Sequence, residues 1–105
     1  LKRFVLPLSI FICLAIAPAF PKTGYIPQKG FVPDAQTAIV IARAVLVPIY
    51  GEAQIKREEP LTAIRRGDDW LVSGTLQCVP HCVGGVATVS ISARSGQIKY
   101  VIHTK

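Results

Sequence analysis

The chain has 105 residues, enough for one domain and not for two, with 12 lysines and arginines against 6 acids and a formal charge of +6. The basic excess is spread along the sequence, and the doublets Lys56-Arg57 and Arg65-Arg66 each stand beside acids, Glu58-Glu59 and Asp68-Asp69. The concentrated basic face with interleaved aromatics of a nucleic-acid binder is not evident in that distribution, and charge is read as a solubility feature with at most an acidic partner in view.

The first element is a leader. Lys2 and Arg3 precede an almost wholly apolar run from Phe4 to Ala17, and Ala17-Pro18-Ala19 supplies the small-x-small pattern that a signal peptidase reads. Pro7 and Pro18 bracket the run and leave it too short for a membrane-spanning helix, which needs about 20 apolar residues. Residues 1–19 are therefore read as a secretory signal cleaved near Ala19, which places the mature protein in the periplasm or outside the cell, free of the membrane. Cleavage removes Cys13 and leaves Cys78 and Cys82 as an even pair, expected to form a disulfide in an oxidising compartment.

Residues 20–33 carry Pro21, Gly24, Pro27, Gly30 and Pro33 without an apolar period, and read as an extended lead-in. The domain proper is expected over 34–105. Asp34 can cap a helix that begins at Ala35, because its carboxylate can accept the free N–H groups of the first turn. From Ala35 to Val47 only Gln36, Thr37 and Arg43 are polar, so the helix is expected to be buried on most sides, with a curved sheet wrapped around it. Pro48 ends this helix or restarts a short one through Tyr50, and Gly51 supplies the stop.

Strands follow. Leu61 to Arg66 is the first, with a turn at Gly67-Asp68. Trp70 to Leu76 is the second, with Trp70, Val72 and Leu76 on one face. Val86 to Ala93 alternates Ala87, Val89, Ile91 and Ala93 with Thr88, Ser90 and Ser92, a strict period of two. Ser95-Gly96 makes a hairpin turn, and Ile98 to Ile102 returns antiparallel. The sum is an α+β layer fold of one long N-terminal helix and about four antiparallel strands. A mature chain this small sits near the lower limit for independent stability, which the disulfide or a homodimer would relieve.

Several segments are recognisable together: Val32-Pro33-Asp34, Ala38 through Tyr50-Gly51, Trp70-Leu71-Val72 with Gly74-Thr75-Leu76, Gly84-Gly85-Val86-Ala87, and Ser95-Gly96-Gln97-Ile98 through His103-Thr104-Lys105. In this order and spacing, over residues 32–105, they resemble the NTF2-fold immunity proteins of bacterial toxin systems. Where the family commonly ends in Thr-His-Gly-Lys, this chain keeps the His and the Lys and lacks the Gly. The resemblance implies an NTF2-like, cystatin-like fold and a cognate toxin protein as partner, bound and neutralised without catalysis. The alternative within the same fold is a periplasmic small-ligand or lipid-binding domain that uses a cone-shaped cavity.

Enzymatic chemistry has no evident apparatus. All six acids, Asp34, Glu52, Glu58, Glu59, Asp68 and Asp69, fall at helix starts, turns or charged stretches, and none lies on an apolar face that would tune it as a base. Cys78, His81 and Cys82 offer three ligands for zinc or copper. A closed site needs a fourth, available only if His103 ends its strand beside that loop, so a small disulfide loop with an exposed His81 is preferred and no cofactor is expected. Trp70 is read as core. Gly84-Gly85 marks a bend at a strand start, because a strand and not a helix follows it. The candidate partner contacts are Arg65, Arg66, His81 and Tyr50, with the Arg65-Arg66 doublet the best placed for an acidic surface.

Overall fold

The computed structural model describes residues 24–77 and 84–104. The expected signal, the Cys78–Cys82 pair and His81 lie outside those residues. Helix α1 spans Ala35–Tyr50. Asp34 holds the extended conformation of an N-cap and accepts the Thr37 N–H at 2.8 Å and the Thr37 hydroxyl at 2.7 Å. These bonds hold its carboxyl below the usual aspartate value. The helix continues through Pro48 to Tyr50, three residues past Val47, and stops at Gly51, whose φ of 93° a side chain would strain. Gly51 N–H closes the end by donating to the Val47 carbonyl at 2.7 Å.

A second helix, α2, spans Glu52–Arg57 and has no counterpart in the sequence reading. Six residues with one buried anchor, Ile55, show no helical period to find. Its charges are arranged for the helix dipole, with Glu52 in the first turn and Lys56 and Arg57 in the last.

Four strands follow: β1 Thr62–Arg66, β2 Asp69–Ser73, β3 Ala87–Ser92 and β4 Ile98–His103. They form one antiparallel sheet in the order β1-β2-β3-β4. The register sets Trp70 beside Arg65 and Ile91, Val72 beside Ala63 and Val89, and Ala87 beside His103. This face packs on α1, where Ala38, Ala42 and Leu46 recur every fourth residue and are wholly buried. Two alanines at the contact let the helix lie close to the sheet, so Val72, Ala87, Val89 and Ile91 are fully buried as well.

Two expectations are corrected. The sheet is open and covers α1 on one side only, so Val40 and Ile49 remain 59% and 55% exposed and the helix is not wrapped. Leu76 does not join Trp70 and Val72 in the core, because β2 ends at Ser73 and Leu76 lies beyond it, exposed. The α+β class, the helix-then-meander order and all four strand positions stand as expected, each strand end falling within a few residues of its sequence-based limit.

The lead-in contributes to the fold. Val32 is fully buried, its N–H donates to the Ala93 carbonyl at 2.9 Å, and its own carbonyl accepts the Trp70 indole N–H at 2.8 Å. Phe31 N–H donates to the Arg94 carbonyl at 3.0 Å. The segment thereby pairs with the chain just past the end of β3.

Candidate partner-binding surface

Polar side chains gather at the two ends of the sheet. At the end where β3 starts and β4 finishes, Glu58 follows α2 directly and is 4% exposed. Its carboxylate accepts the Ala87 N–H at 2.7 Å and the Gln54 side-chain N–H at 2.7 Å, and lies 3.0 Å from His103 Nε2. Its main-chain carbonyl accepts the Thr75 N–H at 2.7 Å. Gly74 packs directly on the Glu58 side chain, where a methyl group would collide with it. One glutamate therefore holds the chain as it leaves β2 and again as it enters β3, on both sides of residues 78–83.

His103 completes this cluster. Its Nδ1 lies 2.9 Å from the Thr104 carbonyl oxygen, and its ring tilts against Tyr50 with centroids 5.2 Å apart. Both ring nitrogens face oxygens that only accept, so the arrangement is satisfied when both carry protons. The bond to Glu58 accordingly raises the His103 pKa above its ordinary value, against the opposing effect of burial. For Glu58, burial works against ionisation, but the bonds from Gln54, Ala87 and His103 outweigh it and hold the carboxyl below the usual glutamate value. The carboxylate accepts three of the roughly four bonds it can take, all from groups of the fold itself. The pair ties β4 to α2.

Glu58, which the sequence sets in a charged stretch and off any apolar face, is a correction: its carboxylate is buried and paired. A signal was present in β4, since His103 shares the inward parity of Val101, and an inward histidine needs a partner.

At the opposite end, three turns converge. Arg65 at the end of β1 lies over the Trp70 ring at 5.4 Å and donates its Nε–H to the Gly67 carbonyl at 2.6 Å. Trp70 is itself fixed by its bond to Val32. Arg65, Lys29 and Arg94 line a recess of about 350 Å3 together with Gly30, Ala93 and a single acid, Asp68, whose carboxylate is 4.0 Å from Arg65. Gly30 has a φ of 86°, and any side chain there would drive into the Ala93 carbonyl, so this position accepts only glycine. The basic groups that look scattered in sequence are brought together here by folding.

The four residues expected to contact a partner are not brought together. Arg65 and Arg66 sit at the recess end, both exposed. Tyr50 lies at the other end, half-buried against His103. His81 lies outside the described residues. Lys29 and Arg94, which the sequence reading did not single out, stand with Arg65.

None of the curated proteins and none of the solved structures matches the chain. A sequence model of the NTF2 fold immunity proteins matches residues 37–105, about two thirds of the chain and both helices and all four strands but for the first two residues of α1. The chain belongs to the NTF2 fold immunity protein family.

Proposed function

We propose that this chain is an exported immunity protein that binds one cognate toxin protein stoichiometrically and neutralises it without catalysis. The family match carries the reading, since the family is defined by toxin-neutralising proteins. The Glu58–His103 pair supports a non-catalytic role, because both side chains bond to groups that hold the fold together. Export to the periplasm or beyond rests on the charge, apolar run and Ala17-Pro18-Ala19 pattern of the N-terminus. The ligand-binding alternative draws less support, because the space between α1 and the sheet is filled by Ala38, Ala42, Leu46, Val72, Val89 and Ile91.

The test is co-expression of the full chain with the toxin encoded by a neighbouring gene. Restored growth, together with capture of that toxin at a near one-to-one ratio, is the expected result. Continued killing with nothing captured would sink the immunity reading. Mass spectrometry of the accumulated protein checks export separately, with an N-terminus at residue 20 expected and retention of residues 1–19 excluding cleavage there.

A further inference from the structure

We propose that the recess between Lys29, Arg65 and Arg94 is the docking point for an acidic segment of a partner protein, the carboxylates of one loop or helix entering between the three turns. The assignment rests on the reading of the chain as a protein binder and names the surface and the partner chemistry.

Charge is the first argument. Elsewhere among the described residues, most acids face a counter-charge or donors of their own. Asp34 caps α1, Glu58 meets His103, Glu59 meets Arg43, and both oxygens of Asp69 lie within 3.1 Å of Lys99 Nζ. At the recess the balance reverses: three cations face one acid, and Asp68 is 90% exposed at 4.0 Å from Arg65, too far for a hydrogen bond. Lys29 and Arg94 make no ion pair among the described residues and are exposed. Three like charges in one concavity create a field that an anionic partner relieves.

Preorganisation is the second. Arg65 is held by the Trp70 face and the Gly67 carbonyl, so part of its ordering cost is already met in the free protein. Lys29 belongs to a turn closed by the Gly30 N–H to the Pro27 carbonyl at 3.0 Å and pressed onto Ala93 and Arg94. The walls of the recess are thus fixed backbone.

The surroundings select a protein over a nucleic acid. The recess is a local concavity and not a stripe, and its indole is buried beneath Arg65 and offers no face to a base. The lead-in that forms one wall also carries Phe31, 50% exposed and bonded through its N–H to the Arg94 carbonyl, and an aromatic residue beside arginines is usual in a protein-binding patch.

The test follows backbone amide resonances of the protein, in the form the producing cell accumulates, during titration with an oligoglutamate peptide, an oligolysine peptide and an oligouridylate. Oligoglutamate is expected to shift Lys29, Gly30, Arg65 and Arg94 in preference to the rest, and to lose affinity as salt shortens the Debye length to about 8 Å. The double variant Lys29→Glu/Arg94→Glu is expected to weaken the binding by about tenfold or more while the Trp70 fluorescence stays native. Shifts elsewhere, no shifts, or tighter binding of oligouridylate at the recess would overturn the assignment. With the cognate toxin in hand, full neutralisation by the double variant would overturn it too and leave the immunity reading intact. A wild-type chain that fails to protect strikes that reading instead, and the peptide titration still decides the recess.

Discussion

His103 Nε2 meets the Glu58 carboxylate at 3.0 Å across 45 residues of sequence, and this contact makes the last strand answer to pH. Glu58 has a lowered pKa in the folded state, so its contribution is complete above the ordinary glutamate value of about 4.3 and fades as pH falls through the lowered one. His103 has a raised pKa, so its contribution is complete below the ordinary histidine value of about 6.5 and fades as pH rises through the raised one. Urea unfolding midpoints are expected to form a plateau between these values and to fall on either side. His103→Gln removes the alkaline fall. A midpoint that keeps rising through neutral pH would contradict the pair.

Replacing Glu58 itself is expected to cost more than replacing any other acid. Glu58→Gln leaves a neutral group facing the imidazole and forces one of the amide contacts to rearrange, at about 2 kcal/mol, below the figure for a fully buried pair because the ring is partly exposed. Asp68→Asn, on an exposed turn, is expected to change stability by less than about 0.5 kcal/mol. Urea unfolding of the two variants side by side checks the ranking.

Two glycines with positive φ separate strain from collision. At Gly67, with a φ of 60° and open space around it, alanine costs about 1 kcal/mol for the left-handed backbone alone. At Gly30, with a φ of 86°, alanine meets the Ala93 carbonyl as well, and a loss of at least about 2 kcal/mol is expected from the displaced lead-in. Equal losses at the two positions would mean that the lead-in is not clamped as described.

Leu46 is wholly buried between α1 and the sheet, and Leu46→Ala is expected to destabilise the fold by about 2–5 kcal/mol through the cavity left behind. Ile64, on the far side of β1 and 58% exposed, is a matched control, with a loss under about 0.5 kcal/mol for Ile64→Ala. Thermal unfolding distinguishes the two by several degrees.

The strands were legible because their signals are local. The uninterrupted alternation from Ala87, the two turn glycines Gly67 and Gly96, and the Asp34 cap each depend on residues a few positions apart. Glu58 was not legible as a buried group, because the Lys56-Arg57-Glu58-Glu59 run is charged throughout and its burial is decided by Ala87 and His103, 29 and 45 residues later. The recess was half legible. Arg65 drew attention as one of a doublet, whereas Lys29 and Arg94 are single charges in separate turns that meet only when Phe31 and Val32 pair with the chain after β3. The helix was placed correctly and its surroundings were not, since an apolar sequence records what a surface could bury and the open sheet determines how much of it does.

The meander order has a consequence for how the chain acquires its shape. Every strand pairs with its neighbour in sequence, so the sheet can grow one strand at a time without a crossover. The two side-chain hydrogen bonds that span the most chain among the described residues, Trp70 to Val32 across 38 residues and His103 to Glu58 across 45, lie at opposite ends of the sheet and join segments outside the meander to it, the first of them beside the main-chain bonds from Phe31 and Val32 to Arg94 and Ala93. They are the natural last steps. The sole tryptophan sits in the first of them, so its fluorescence would report the moment at which the lead-in seals one end of a sheet already formed.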